Sequence, residues 1–187
     1  MHSFKRLGVL AVLAFALSAT VAASASAAAF TYSATGSLSG KALETQVFTT
    51  AAGQLKCNVA ETSGTISSTD FSQQHYTVNY KNCTAFGFAS VHVSPATYQF
   101  TANGTLHVKN TITINVTFGG CHQTVGPQTV GSLNYANNGG KLKVTFNLSG
   151  ITYTTTGGLC GASGSNGTFT GANEIERVGG GSISHDP

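Results

Sequence analysis

Thr111-Ile112-Thr113-Ile114-Asn115-Val116-Thr117-Phe118 decides the fold class. Apolar side chains occupy every second position, and Thr or Asn fills the positions between. In an extended strand successive side chains point to opposite faces, so this stretch buries one face and wets the other. The same period recurs outward from it in both directions. Leu55, Cys57 and Val59 share a face, as do Tyr76, Val78 and Tyr80. Leu142, Val144, Phe146 and Leu148 form another set, and Ile151 and Tyr153 alternate with threonines. No segment of helical length beyond residue 29 carries an apolar stripe at helical spacing. About ten short strands at regular spacing predict an all-β chain folded as an antiparallel β-sandwich, a jelly roll being one form of it. A partly open barrel is the alternative.

Turn chemistry adds register. Asn138-Gly139 suits a two-residue turn with both central residues at positive φ, which pairs Tyr135 with Leu142 and Leu133 with Val144. At Ala102-Asn103-Gly104 a two-residue turn would set Phe100 against His107 and put Leu106 on the wrong face. A three-residue loop pairs Phe100 with Leu106 and Tyr98 with Val108, so the side-chain pattern selects the longer loop.

Residues 1–29 have the pattern of an export signal with its N-terminal signal helix. Lys5 and Arg6 precede an apolar run from Leu7 to Ala23, and small residues place cleavage near Ala27 or Ala29. The run is about 17 residues, short for a membrane span, and no later run is apolar enough for one. Residues 30–178 read as one domain and residues 179–187 as a flexible C-terminal tail. Removing Lys5 and Arg6 lowers the formal charge from +3 to about +1. Without a cluster of Lys or Arg, nothing in the chain matches a nucleic-acid partner.

Cys57, Cys83, Cys121 and Cys160 form an even set behind an export signal, which favours disulfides over metal. None stands in a C-x-x-C pair. Of the three pairings, Cys57–Cys83 and Cys121–Cys160 join strands near in sequence and are preferred.

No stretch spells out a catalytic, cofactor or metal site. Glu174 and Glu176 share a strand face, and Glu61 and Asp70 flank a Ser/Thr-rich loop. His75, His92, His107, His122 and His185 have no common motif; His107 falls on an outer face opposite Gln99. A hydrolase would need at least two of Glu61, Asp70, His75, His92, His107, Glu174 and Glu176 in one cleft. Tyr76, Tyr80, Tyr98, Tyr135 and Tyr153 occupy strand positions shared with aliphatic residues and are expected in the core or at its edge.

Several short motifs carry a resemblance: Cys83-Thr84-Ala85-Phe86-Gly87-Phe88, Cys121 followed by Gln128, Ile151-Thr152-Tyr153, and Cys160-Gly161 leading to Gly167-Thr168-Phe169-Thr170-Gly171. In these the chain resembles a group of secreted, β-rich actinobacterial proteins to which no activity is attached. Members of that group often carry further cysteines where this chain has Ser94 to Tyr98 and Thr111 to Val116. The sequence thus leads to an exported, disulfide-stabilised, non-catalytic module without cofactor. It is expected to act outside the cell or at the envelope on a cell-wall or extracellular polymer or protein. A secreted hydrolase assembled only by the fold is the alternative.

Overall fold

The computed structural model describes residues 27–66, 71–157 and 160–187. The expected leader lies outside the described residues as far as residue 26, and Asp70 lies outside them too. Among the described residues there is no helix. The strands are β1 (Ala29–Tyr32), β2 (Gly36–Ala42), β3 (Gln46–Thr50), β4 (Gly53–Ile66), β5 (Gln73–Ala85), β6 (Ala89–Val93), β7 (Ala96–Thr101) and β8 (Thr105–Val108). They continue as β9 (Ile112–Val116), β10 (Cys121–Val125), β11 (Gln128–Gly131), β12 (Leu133–Asn138), β13 (Lys141–Thr156), β14 (Gly164–Arg177) and β15 (Ile183–Asp186).

Every pairing is antiparallel, and the inner faces pack across a shared core as in a β-sandwich. At one end the hydrogen bonding runs right round. β4 pairs with β5, β5 with β6, β6 with β9, β9 with β10, β10 with β13, β13 with β14, β14 with β3, and β3 with β4 again. At the other end the sheet splays. There β5 pairs with β7, β7 with β8 and β8 with β11, while β2 inserts between β14 and β4. Closing the circuit removes sheet edges that would otherwise template aggregation.

The strand read from residues 111–118 holds through β9, where Ile112, Ile114 and Val116 are buried. Phe118 departs from it: the strand ends at Val116, and Phe118 is 52 % exposed in the turn before Gly119-Gly120. Inward parity on β5 runs through Tyr76 and Val78 and then changes to Cys83 and Ala85. The change falls at Asn82, which has φ 52°, and on β4 Ala60 replaces Val59 inside. Because both strands change face together, the ladder keeps its register.

The Ala102–Gly104 loop pairs Phe100 with Leu106 and Tyr98 with Val108, as the pattern predicts. The other hairpin corrects its prediction. Gly139 and Gly140, at φ 58° and 84°, are the turn, so Tyr135 faces Val144 and Leu133 faces Phe146. A shift of two residues leaves every side chain on its own face, so alternation cannot detect it. Residues 179–187 are likewise not a flexible tail. The Gly179-Gly180-Gly181 turn, all at positive φ, brings β15 back to pair with β1 and buries Ile183 completely. Arg177 Nη1 fixes that turn by donating to the Gly180 carbonyl at 2.7 Å.

Disulfides join Cys57 to Cys83 across the β4–β5 ladder and Cys121 to Cys160 from β10 to the segment before β14. The second lies in a small satellite core with Ala85, Ala89 and Val116.

Tyr76 is 1 % exposed, and its hydroxyl has no hydrogen-bond partner among the described residues. A buried polar group without a partner keeps its desolvation cost. Tyr76→Phe is therefore expected to raise stability by about 1 kcal/mol, read as a higher urea midpoint at unchanged slope. A lower midpoint would mean that the hydroxyl is satisfied after all.

Candidate functional site

Among the described residues, Glu61, Glu174, Glu176, His75, His92, His107 and His122 lie on outward positions of their strands, while the His185 ring packs against Phe30 and Tyr135. Glu61 pairs with Lys81 at 2.6 Å, both more than half exposed. Glu174 and Glu176 do come together, around one cation: Lys141 Nζ lies 3.1 Å from the first and 2.7 Å from the second. Glycoside hydrolysis needs one carboxyl that stays protonated near neutral pH. The Lys141 ammonium acts in the opposite sense and holds the Glu176 carboxyl below its ordinary range, by hydrogen bond first and by charge second.

The histidines fall into rows across the sheet. His92 and His122 flank Asn115, and His75 and His107 flank Gln99. Strands are about 4.8 Å apart, so the backbones of each pair are separated by roughly 10 Å with an amide residue between them. Three of the rings have ordinary neighbours. His122 Nδ1 is 2.7 Å from Asn115 Oδ1, His107 Nδ1 is 2.8 Å from Thr129 Oγ1, and His185 Nε2 is 2.7 Å from the Ala102 carbonyl. Among the described residues no three His, Cys, Asp or Glu side chains converge on a metal position.

One concave feature is inside. Between the two faces lies a cavity of about 70 Å³, lined by aliphatic and aromatic side chains that include Leu55, Val78, Leu106, Ile114, Phe146 and Leu148. These are the inward positions of β4, β5, β8, β9 and β13, so the alternation that makes the strands also makes the lining. Two polar points interrupt it. The first is the Tyr80–Tyr98 pair, with hydroxyl oxygens 2.9 Å apart. Burial is the main reason both phenols titrate high, Tyr98 being pushed up to about 12, so both stay protonated. One O–H donates to the other, which leaves the second proton to offer to an acceptor.

The second polar point is an amide cluster. Gln46, 1 % exposed, donates through Nε2 to Asn173 Oδ1 at 3.0 Å and to the Ala172 carbonyl at 3.2 Å. Asn173 Nδ2 in turn donates to Thr62 Oγ1 at 3.1 Å. This cluster escaped the sequence reading, although the parity signal was present: Gln46 shares a face with Phe48, and Asn173 with Ile175.

An apolar chamber met at two points by a tyrosine hydroxyl pair and a fixed amide cluster can hold a small apolar group. The volume sets the scale. A dry engineered cavity of about 150 Å³ takes benzene, so this one suits a group of a few carbon atoms. In comparisons with family models, with curated proteins and with solved structures, nothing matches this chain.

Proposed function

We propose that this protein is an exported, disulfide-stabilised, non-catalytic module whose interior binds a small apolar group. The carrying observation is the apolar cavity with its Tyr80–Tyr98 donor. The leader-like sequence of residues 1–29 and the two disulfides support action outside the cell, where thiols stay oxidised. The outward placement and lysine pairing of Glu61, Glu174 and Glu176 support a binding role over hydrolysis.

Two measurements test the reading. Intact mass of the protein from culture medium should give a chain beginning at Ala28 or Phe30; an uncleaved, cell-retained chain refutes export. Methyl NMR under xenon, a probe of dry apolar space, should shift Val78, Leu106, Ile114 and Leu148 saturably. Shifts scattered over surface methyls, or none, would refute the interior site.

A further inference from the structure

We infer that the closed end of the barrel is a docking tip for the surface of a neutral lipid bilayer. This goes beyond the interior site and stands independently of it. Three phenylalanines crown that end. Phe86 and Phe88 lie in the β5–β6 turn and Phe118 in the β9–β10 turn, and they are 37 %, 67 % and 52 % exposed. The Phe88 and Phe118 rings touch edge to face, with centroids 5.4 Å apart. Phe88 and Phe118 are thus paired, with Phe86 two residues away in the same turn, whereas the other large exposed apolar side chains of the described residues, Leu43, Phe71 and Val178, lie in separate segments.

The tip is built to hold these rings outward. The turn closes by the Phe88 N–H donating to the Ala85 carbonyl at 3.2 Å, and Phe86 sits at φ 57°. That conformation is unfavourable for a bulky side chain and persists only where its surroundings impose it. Directly beneath is the satellite core that holds Cys121–Cys160. Ala52 and Gly53 lie beside Phe86, Gly119 and Gly120 follow Phe118, and these turns contain no Asp, Glu, Lys or Arg; the next charged residue along β4 is Lys56, opposite Thr84. The charged cluster of Lys141, Glu174, Glu176 and Arg177 lies at the ends of β13 and β14 remote from the Cys160 segment, with Lys41 beside it on β2.

The occupant follows from size and charge. With roughly 200 Å² for a fully exposed phenylalanine, the three rings offer about 300 Å². A stable dimer needs about 800 Å² per partner, so a second copy is a poor fit. Protruding rings on small, uncharged turns instead suit insertion below lipid headgroups. With no basic residue in the turns and only Lys56 near them, binding needs no anionic lipid and resists salt.

The chain has no tryptophan, so one can be placed as a reporter. Phe118→Trp reports the tip and Val178→Trp the charged end. With phosphatidylcholine vesicles, emission of the tip reporter should shift to the blue and be quenched by brominated lipid, equally at low and high salt. The Val178→Trp reporter should stay unchanged. Adding Phe88→Ser to the tip reporter should weaken binding roughly tenfold or more, at an unchanged melting temperature. The proposal falls on any of four results: no shift at the tip; equal shifts at both ends; a shift needing phosphatidylserine and reversed by salt; or a shift that grows with protein concentration without vesicles, which marks self-association.

Discussion

Replacing Cys121 and Cys160 together by alanine should lower the unfolding free energy by about 4 kcal/mol and the melting temperature by about 10 °C or more. The bond closes a loop of sequence separation 39, and releasing that loop returns its entropy to the unfolded chain. The Cys57–Cys83 loop spans 26, which gives about 3.5 kcal/mol by the same reasoning. What separates the two is the native state. Cys57 and Cys83 are opposed within a long β4–β5 ladder that continues on both sides of them. Cys160 instead belongs to the segment between β13 and β14, and Cys121 opens β10. Both are fully buried, and among the described residues their satellite core otherwise holds Ala85, Ala89 and Val116, with Val91 packed against it. Alanines there also leave a void that these small neighbours fill poorly. Hydrogen exchange in the double variant should therefore speed up in residues 117–123 and 160–163 beyond the global change. For the Cys57/Cys83 double variant the increase should follow the global change alone. A loss below about 1 kcal/mol for the Cys121/Cys160 variant would show that residual structure in the unfolded chain, or relaxation of the tip, offsets the entropy.

How far the sequence reveals this molecule depends on how local each feature is. The period of Ile112, Ile114 and Val116 is local, and it identifies a strand without any knowledge of the partner. The end of that strand is less visible. Phe118 continues the period, and only the following Gly119-Gly120 marks the turn that turns it outward. Register is legible where a wrong choice would flip a face, as at Ala102–Gly104. It is illegible where the choices differ by two residues, as between Asn138-Gly139 and Gly139-Gly140. β15 offers only Ile183 as a buried apolar residue, too little for a pattern, yet that one side chain anchors the C-terminal segment. The histidine rows depend on which distant strands become neighbours, and no spacing within one strand encodes that. The cavity is further removed still, because its volume is a small difference between the space enclosed by the strands and the side chains that fill it. The tip is the intermediate case. Phe86-Gly87-Phe88 is plain in the sequence, and what the fold adds is the nearness of Phe118.

Gly64→Val should destabilise the protein by about 3 kcal/mol, although strand propensity argues for the opposite sign. Valine is among the best strand formers and glycine among the worst, a difference worth up to about 1 kcal/mol. Removing a glycine also restricts the unfolded chain, worth about 0.4–1 kcal/mol more in favour of the variant. Space decides against both. Gly64 lies directly opposite Tyr76 in the β4–β5 ladder. A Cβ at Gly64 would stand 2.7 Å from the His75 carbonyl oxygen and 2.8 Å from Cδ1 of Tyr76. The first contact is backbone of the neighbouring strand and cannot swing aside. The second belongs to Tyr76, which is 1 % exposed and whose ring packs tilted against Phe100 at a centroid distance of 4.8 Å. Relief therefore requires the ladder to open or the Tyr76–Phe100 pair to repack, and the two valine methyls add to what must move. Overpacking of this kind costs about 1–3 kcal/mol and occasionally more, and here backbone and ring are both fixed. Urea unfolding of Gly64→Ala and Gly64→Val reads the cost in two steps, with the larger side chain losing more. In a Tyr76→Leu background the loss from Gly64→Ala should shrink by about 1 kcal/mol, because the slimmer neighbour can yield. Equal losses in both backgrounds would place the clash on the His75 carbonyl alone. A gain in stability in either would mean that β4 and β5 can separate at this point more easily than their ladder implies.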